Sequence, residues 1–335
     1  MEHSLDLTYH WAGFSALVVF VIAYAFVMAE EFTHLRKSKP VVLAAGLIWG
    51  MIAIAYSNTP HYEMVEHEIR HSFLEYTELA FFLLVAMTYI NALEERNVFN
   101  SLKSWLIKNQ FSYRQLFWIT GVLAFFLSPL ADNLTTALVL CAVVVAVGSS
   151  SPKFVGLACV NIVVAANAGG AFSPFGDITT LMVWQAGQLD FLQFFALVIP
   201  SVVNYIIPAS IMHFFVSDHK PDVAETSVTI KYGGKTIILL GLLTIVTAVS
   251  FHNFLHLPPV FGMMTGLAYL QLYSFYIKIS VKDIEEQKYD FFENVARVEW
   301  DTLLFFFGVI LSVGGLGFIG YLEYVSEFMY TDLGA

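Results

Sequence analysis

Two stretches of this sequence gather hydroxyl, amide and carboxylate oxygens inside otherwise apolar runs. In SPLADNLTT, Asp132 and Asn133 are followed by Thr135 and Thr136. NAGGAFSPFGDITT offers Asn167, Ser173, Asp177, Thr179 and Thr180. An ionised carboxylate in a low-dielectric setting is costly without a partner or a neutralising ion. Hard cations such as sodium take oxygen ligands of these kinds, as calcium and magnesium sites illustrate. From Gln115 to Val216 the only Lys or Arg is Lys153, whereas sites for carboxylate or phosphate ligands usually offer Arg, Lys or convergent amides. The expected chemistry is therefore the binding of a small cation rather than an organic anion. The competing reading makes each Asp a helix N-cap, Asp132 for a helix starting at Leu134 and Asp177 for the DITT run. Two breaks of the same Asp-plus-Thr-Thr chemistry favour a joint site.

Two further groups carry chemistry. Glu75 and Glu78 are three residues apart, on one face of a helix. Glu78 enters an apolar span, where a carboxylate is a functional candidate by default; Glu75 reads as an interfacial group facing water. HEIRH, His67 to His71, matches the pattern in which two imidazoles on one helix face hold zinc and the Glu, here Glu68, acts as base. The motif sits in a loop rich in His and Glu, and its third ligand is not evident in the sequence although Glu63 and Glu75 are near, so a membrane metalloprotease is a remote alternative. A pH-responsive role for His71, near Glu75, fits better.

The elements that position these residues follow from composition. Of 335 residues, 58 % are apolar and 13 % charged, against roughly 25 % charged in a soluble domain. The 31 Phe outnumber the 16 Lys and Arg together. The expectation is an all-α polytopic membrane protein. A net charge of −11 argues against nucleic-acid partners. Cys141 and Cys159 lie in apolar segments and read as packing residues. The opening MEHSLDLTYH has no basic residue, so the first apolar run reads as a retained span, not a cleaved signal.

Spans need about 20 mainly apolar residues. Candidates are Trp11–Ala29, Pro40–Tyr56, Phe73–Leu93, Leu192–Val216, Thr236–Phe251, Val260–Ile277 and Thr302–Leu322. Two stretches do not fit a simple span. Pro129 is expected to break residues 115–147 into a re-entrant hairpin, or into two short crossings. Gly169, Gly170, Pro174 and Gly176 are expected to unwind residues 153–187 into a broken helix whose two arms are each too short to span. Basic residues decide orientation. Arg36, Lys37 and Lys39, then Arg96, Lys103, Lys108 and Arg114, then Lys220, Lys231 and Lys235, and finally Lys278, Lys282, Lys288 and Arg297 share one side if the N-terminus is outside. The opposite loops, Ser57–Ser72 and His252–Pro259, carry Arg70 alone.

An internal repeat is also visible. EYTELAFF from Glu75 aligns with EWDTLLFF from Glu299, in spans of opposite direction. Units of similar sequence and opposed topology mark inverted-repeat transporters. The expected layout has residues 1–60 as spans outside the repeat, candidates for a homodimer contact. Residues 73–216 form the first inverted repeat, with hairpin 115–147 and broken helix 153–187. Residues 217–298 hold a linker and two spans, and residues 299–335 start a second repeat. At the same offset the counterpart of Asp132 falls beyond Ala335, so most of that second repeat is expected to be missing.

The chain closely resembles the NhaD-type sodium/proton antiporters, within the ion-transporter superfamily that includes dicarboxylate transporters. The likeness rests on LEYTELAFFLLVAMTYINALEERNVF, LFWITGVLAFFLSPLADNLTTALVL, NIVVAANAGGAFSPFGDITTLMVWQ and VEWDTLLFFFGVILSVGGLGFIGYL. It implies exchange of Na+ or Li+ for H+ at alkaline pH, across a bacterial inner membrane, without a cofactor and without enzyme activity. It implies two inverted repeats with re-entrant hairpins and unwound helices. Carried over by match, Asp132, Asn133, Thr135, Asn167, Asp177, Thr179 and Thr180 resemble the half of the ion site given by the first repeat, with Na+ or Li+ at Asp132 and Asp177. Glu78 matches a carboxylate position of the family. A sodium-coupled dicarboxylate-type transporter of the same fold is the alternative.

Overall fold

Apolar runs become helices because in hydrocarbon each backbone polar group must be satisfied within its own segment. The computed structural model describes residues 6–57, 59–109, 111–148, 151–220, 228–280 and 289–332. Lys282 and Lys288, counted above for orientation, lie outside the described residues. The chain opens with α1 (Trp11–Met28), α2 (Glu30–Thr33), α3 (Ser38–Tyr56) and α4 (Tyr62–Glu95). Next come α5 (Val98–Lys108), α6 (Tyr113–Ala131), α7 (Asn133–Val147), α8 (Pro152–Gly170) and α9 (Ile178–Gln185). A 3₁₀ segment, Phe191–Leu197, runs into α10 (Val198–His213). The last elements are α11 (Gly234–Leu255), α12 (Pro259–Ser280), α13 (Phe291–Ala296), α14 (Trp300–Ile319) and α15 (Tyr321–Glu327).

Among the described residues, nine helical segments are long and apolar enough to cross a membrane: α1, α3, α4, α6, α8, Phe191–His213, α11, α12 and α14. The polytopic all-helical architecture read from composition is present. Three details differ. First, α4 begins at Tyr62, so HEIRH is helical and not part of a loop. At 34 residues this helix is about 51 Å long, against a hydrocarbon core of about 30 Å, so its polar first turns prolong a span. Second, α6 continues through Pro129 to Ala131. A proline in the last turn removes one helical bond, and the break falls at Asp132 instead. Third, α8 alone has 19 residues and reaches span length; only α9, with 8, is too short. Gly169 and Gly170 are the last helical residues of α8 and do not unwind it. The eight-residue match also falls on unlike positions, since Glu75 lies inside α4 while Glu299 is the N-cap of α14.

The chain forms two compact units, Met1–Leu83 with Glu299–Ala335, and Leu84–Val298. In the first, α3 packs on α1 and α14. Trp49 Nε1–H donates to Leu311 O at 2.8 Å, and the Ser38 hydroxyl to the Asp301 carboxylate. Ile48 and Ile52 lie against Gly315.

In the second unit, α6, α7, α8 and α10 bury one apolar core that includes Phe117, Leu140, Val144, Ile162 and Ala209. Arg96, at the end of α4, is fully buried. It pairs with Glu95 at 2.7 Å and lies over the Tyr289 ring at 4.9 Å. The other Glu95 oxygen accepts from Asn294 Nδ2 at 2.6 Å. Burial, reinforced by the Glu95 carboxylate, pushes the Tyr289 phenol up. Arg96 is thus a packed structural ion and not the free loop charge that the orientation count assumed.

The hairpin of α11 and α12 is set by Gly262 and Gly266. A Cβ at Gly262 would lie 2.3 Å from Ala248 Cα, and one at Gly266 2.1 Å from Thr244 Cγ2. Small residues four apart are how helices approach closely in lipid. Gly262→Leu is expected to force α11 and α12 apart at a cost of about 1–3 kcal/mol. A lower melting temperature in detergent checks this; unchanged melting would refute the close packing.

Candidate cation-binding site

Two helix breaks meet in the second unit. Asp132 alone separates α6 from α7, and residues 171–177 separate α8 from α9. In an unbroken helix Asn133 N–H would bond to Pro129 O. Here Asn133 N–H donates to Gly176 O at 3.0 Å, and Pro129 O accepts from Ser173 Oγ at 3.0 Å. Each break supplies what the other lacks, which is what irregular backbone away from water requires. The helices can come this close because Gly169 has no side chain: a Cβ there would sit 2.1 Å from Phe125 O. That carbonyl is the one whose helical donor Pro129 removes.

The side chains extend this link. Asn133 Nδ2 donates to Asp177 Oδ2 at 2.7 Å and to Asn167 Oδ1 at 3.1 Å. Asp132 caps α7, its Oδ1 accepting from Thr135 N and its Oδ2 from Thr135 Oγ1, both at 2.8 Å. Asp177 caps α9, its Oδ1 accepting from Thr179 N at 2.8 Å and Thr179 Oγ1 at 2.7 Å. The Thr180 hydroxyl lies 2.9 Å from Ser173 O and 2.8 Å from Asp177 O. Both aspartates are therefore N-caps, as the competing sequence reading held, and Asn133, next to Asp132, links the two breaks by its bond to Asp177. A carboxylate at a helix N-terminus is stabilised by the positive end of the helix dipole.

The cluster is rich in oxygens. The N-termini of α7 and α9 are already answered by Asp132 and Asp177. What remains are carboxylate, amide and hydroxyl oxygens, beside the carbonyl-bearing C-termini of α6 and α8, which carry negative partial charge. Asp132 adopts φ 55, ψ 159, a region almost restricted to glycine and costing about 1–3 kcal/mol for other residues.

The expected residues Asp132, Asn133, Thr135, Asn167, Ser173, Asp177, Thr179 and Thr180 thus come together. Thr136 is buried on α7. Its Oγ1, like Ser128 Oγ on α6, has no hydrogen-bond partner among the described residues. Ser128 was missed from the sequence, although it stands inside SPLADN, because a serine in a span ordinarily bonds back to its own helix. Glu78 is half-buried on α4 and belongs to the first unit. His71 is exposed, with Nε2 3.7 Å from Glu75 Oε1, the neighbour expected for it. Around HEIRH, as elsewhere among the described residues, no group of three His, Cys, Asp or Glu is arranged to hold a metal.

Residues 11–335 match the citrate transporter family. The chain is also 52 % identical over 350 residues to the Na(+)/H(+) antiporter NhaD of Vibrio cholerae serotype O1, covering 98 % of this chain and 73 % of the relative. The chain belongs to the citrate transporter family, as an NhaD-type member. The NhaD of Halomonas elongata is 51 % identical over 348 residues, with 98 % and 70 % covered. A plant relative, sodium/proton antiporter 1 of Arabidopsis thaliana, is 31 % identical over 326 residues, with 94 % and 54 % covered.

In this NhaD-type chain the Asn133 side chain bonds both Asn167 on α8 and Asp177 at the start of α9. Asn133→Ala would leave Asp177 Oδ2 and Asn167 Oδ1 without their shared donor. The expected loss is about 1–3 kcal/mol of stability, read as a lower melting temperature. Melting equal to the parent chain would show that the bridge does not hold the breaks together.

Proposed function

We propose that the chain is a secondary active transporter that exchanges Na+, or Li+, for H+ across a membrane, and is not an enzyme. The observation that carries this is the 52 % identity to NhaD antiporters over nearly the whole chain. The oxygen cluster agrees with it. In this reading Asp132 and Asp177 hold the transported cation, helped by Asn133, Thr135, Thr136, Asn167, Ser173, Thr179 and Thr180. Protons and sodium compete for the same carboxylate oxygens, so one leaves as the other arrives. A proton loaded outside is released inside, the freed carboxylate takes Na+, and Na+ leaves on the return movement. The half-buried Glu78 is a second proton-coupling candidate, and His71 with Glu75 a pH-sensing pair.

The finer architecture belongs to the same proposal. The break at Asp132 and the 171–177 break would be the hairpin and unwound helix of one inverted repeat, residues 73–216, with a second unit of opposite direction starting at residue 299. The distribution of basic loops supports an N-terminus outside; in this reading the membrane is a bacterial inner membrane and residues 1–60 are available for a homodimer contact. A second reading, a sodium-coupled carboxylate transporter, is favoured by the description of the family as citrate transporters. Against it, Lys153 is the only Lys or Arg between Gln115 and Val216. Everted vesicles carrying the chain are expected to show Na+- or Li+-induced dequenching of a pH dye at alkaline pH. Asp132→Asn is expected to abolish it with the protein still folded. Sodium-dependent uptake of labelled citrate without proton movement would favour the second reading, and full exchange by Asp132→Asn would falsify the ligand assignment.

A further inference from the structure

A cavity of about 670 Å³ opens where the start of α6 meets the end of α10. Arg114, Trp118, His213, Asp218 and Lys220 are among the residues that line it. The two helix ends are tied together there. Trp118 Nε1–H donates to His213 Nδ1 at 2.9 Å, the Arg114 guanidinium to Val216 O at 3.2 Å, and Tyr113 N to His219 O at 2.9 Å. An indole nitrogen can only donate, so Nδ1 accepts and the His213 ring proton sits on Nε2, which remains a donor. Arg114 Nε is buried and has no hydrogen-bond partner among the described residues. The one carboxylate on the wall, Asp218, accepts from Ser112 Oγ at 2.8 Å. Among the described residues that line it, Arg114 and Lys220 outnumber the single carboxylate.

The place of this cavity matters as much as its charge. α6 and the segment ending in α10 are both of span length, so their shared end lies at a membrane boundary. Beside it α10 and the turn that follows it present an apolar strip to the outside. Ile207 is 56 % exposed, Ile211 59 %, and Phe214 and Phe215 80 % and 59 %. Spacings of four, three and four residues put these on one side of the helix.

We propose that this cavity binds the phosphodiester headgroup of an anionic phospholipid. Arg114 and Lys220 meet the phosphate, His213 Nε2–H is available as a further donor, and the acyl chains run along the Ile207–Phe215 strip. Basic pockets between transmembrane helices suit such headgroups, a guanidinium fork matches phosphate oxygens, and a tryptophan at this depth is an interfacial anchor. Inorganic phosphate shares the headgroup chemistry but has no use for the apolar strip. The proposal rests on the membrane reading of α6 and α10 and is independent of ion exchange.

The test is retention of phosphatidylglycerol against phosphatidylcholine by the purified chain in detergent, read by native mass spectrometry, with inorganic phosphate as competitor. The chain is expected to keep phosphatidylglycerol preferentially. Arg114→Gln and Lys220→Gln are each expected to weaken that retention about fivefold, with phosphatidylcholine unchanged. Should Arg114→Gln fail to fold after losing Val216, Lys220→Gln, which lies outside every helix, carries the test. Equal retention of the two lipids, an undiminished preference in Lys220→Gln, or displacement by inorganic phosphate at equal concentration overturns the proposal.

Discussion

A helix interrupted away from water frees an N–H and a C=O that need other partners, and in this chain each of two interruptions is answered by the other. Asn133 N–H goes to Gly176 O, and Pro129 O takes the Ser173 hydroxyl. The rest of the second unit is arranged around that exchange. Gly169 lets α8 come against α6 at Phe125. The apolar core shared by α6, α7, α8 and α10 fixes the rods so that their ends meet. Neither break would be tolerable alone, since an unpaired buried backbone group costs as much as a lost hydrogen bond.

The same arrangement explains why charge collects there. A helix start wants an acceptor, and an aspartate is the strongest short-range one. Two helix starts near one place therefore each carry a capping carboxylate, Asp132 on α7 and Asp177 on α9. Membership of a family described as citrate transporters does not decide the cargo, because a fold hosts many functions and the site decides between them. A neighbourhood of carboxylates, amides and hydroxyls suits a small cation better than an organic anion.

Most of the scaffold was legible in the sequence, because a run of about 20 apolar residues leaves the backbone few alternatives. The oxygen-bearing residues were legible too, since polar groups stand out in apolar runs. Boundaries were not. Pro129 looked like the break, yet a last-turn proline loses one bond and the helix continues to Ala131. The glycines at 169 and 170 looked like helix breakers but serve close packing. Arg96 looked like a loop charge and is a buried ion held by Glu95 and Tyr289. In each case a tertiary contact overrode the local preference of the residue, and no single-sequence signal records such a contact. The Asn133 bridge to Asp177 is of this kind: the two residues are far apart in the chain, and only the fold brings them within a hydrogen bond.

The backbone of Asp132 carries a consequence for how this position can vary. At φ 55 and ψ 159 glycine alone would be at ease, but glycine brings no oxygen to cap α7. Asparagine keeps the shape and the acceptor while giving up the charge. Glutamate keeps the charge but needs a longer reach to Thr135, from a backbone just as strained. Every alternative at residue 132 thus gives up the capping oxygen, the charge or the short reach to Thr135.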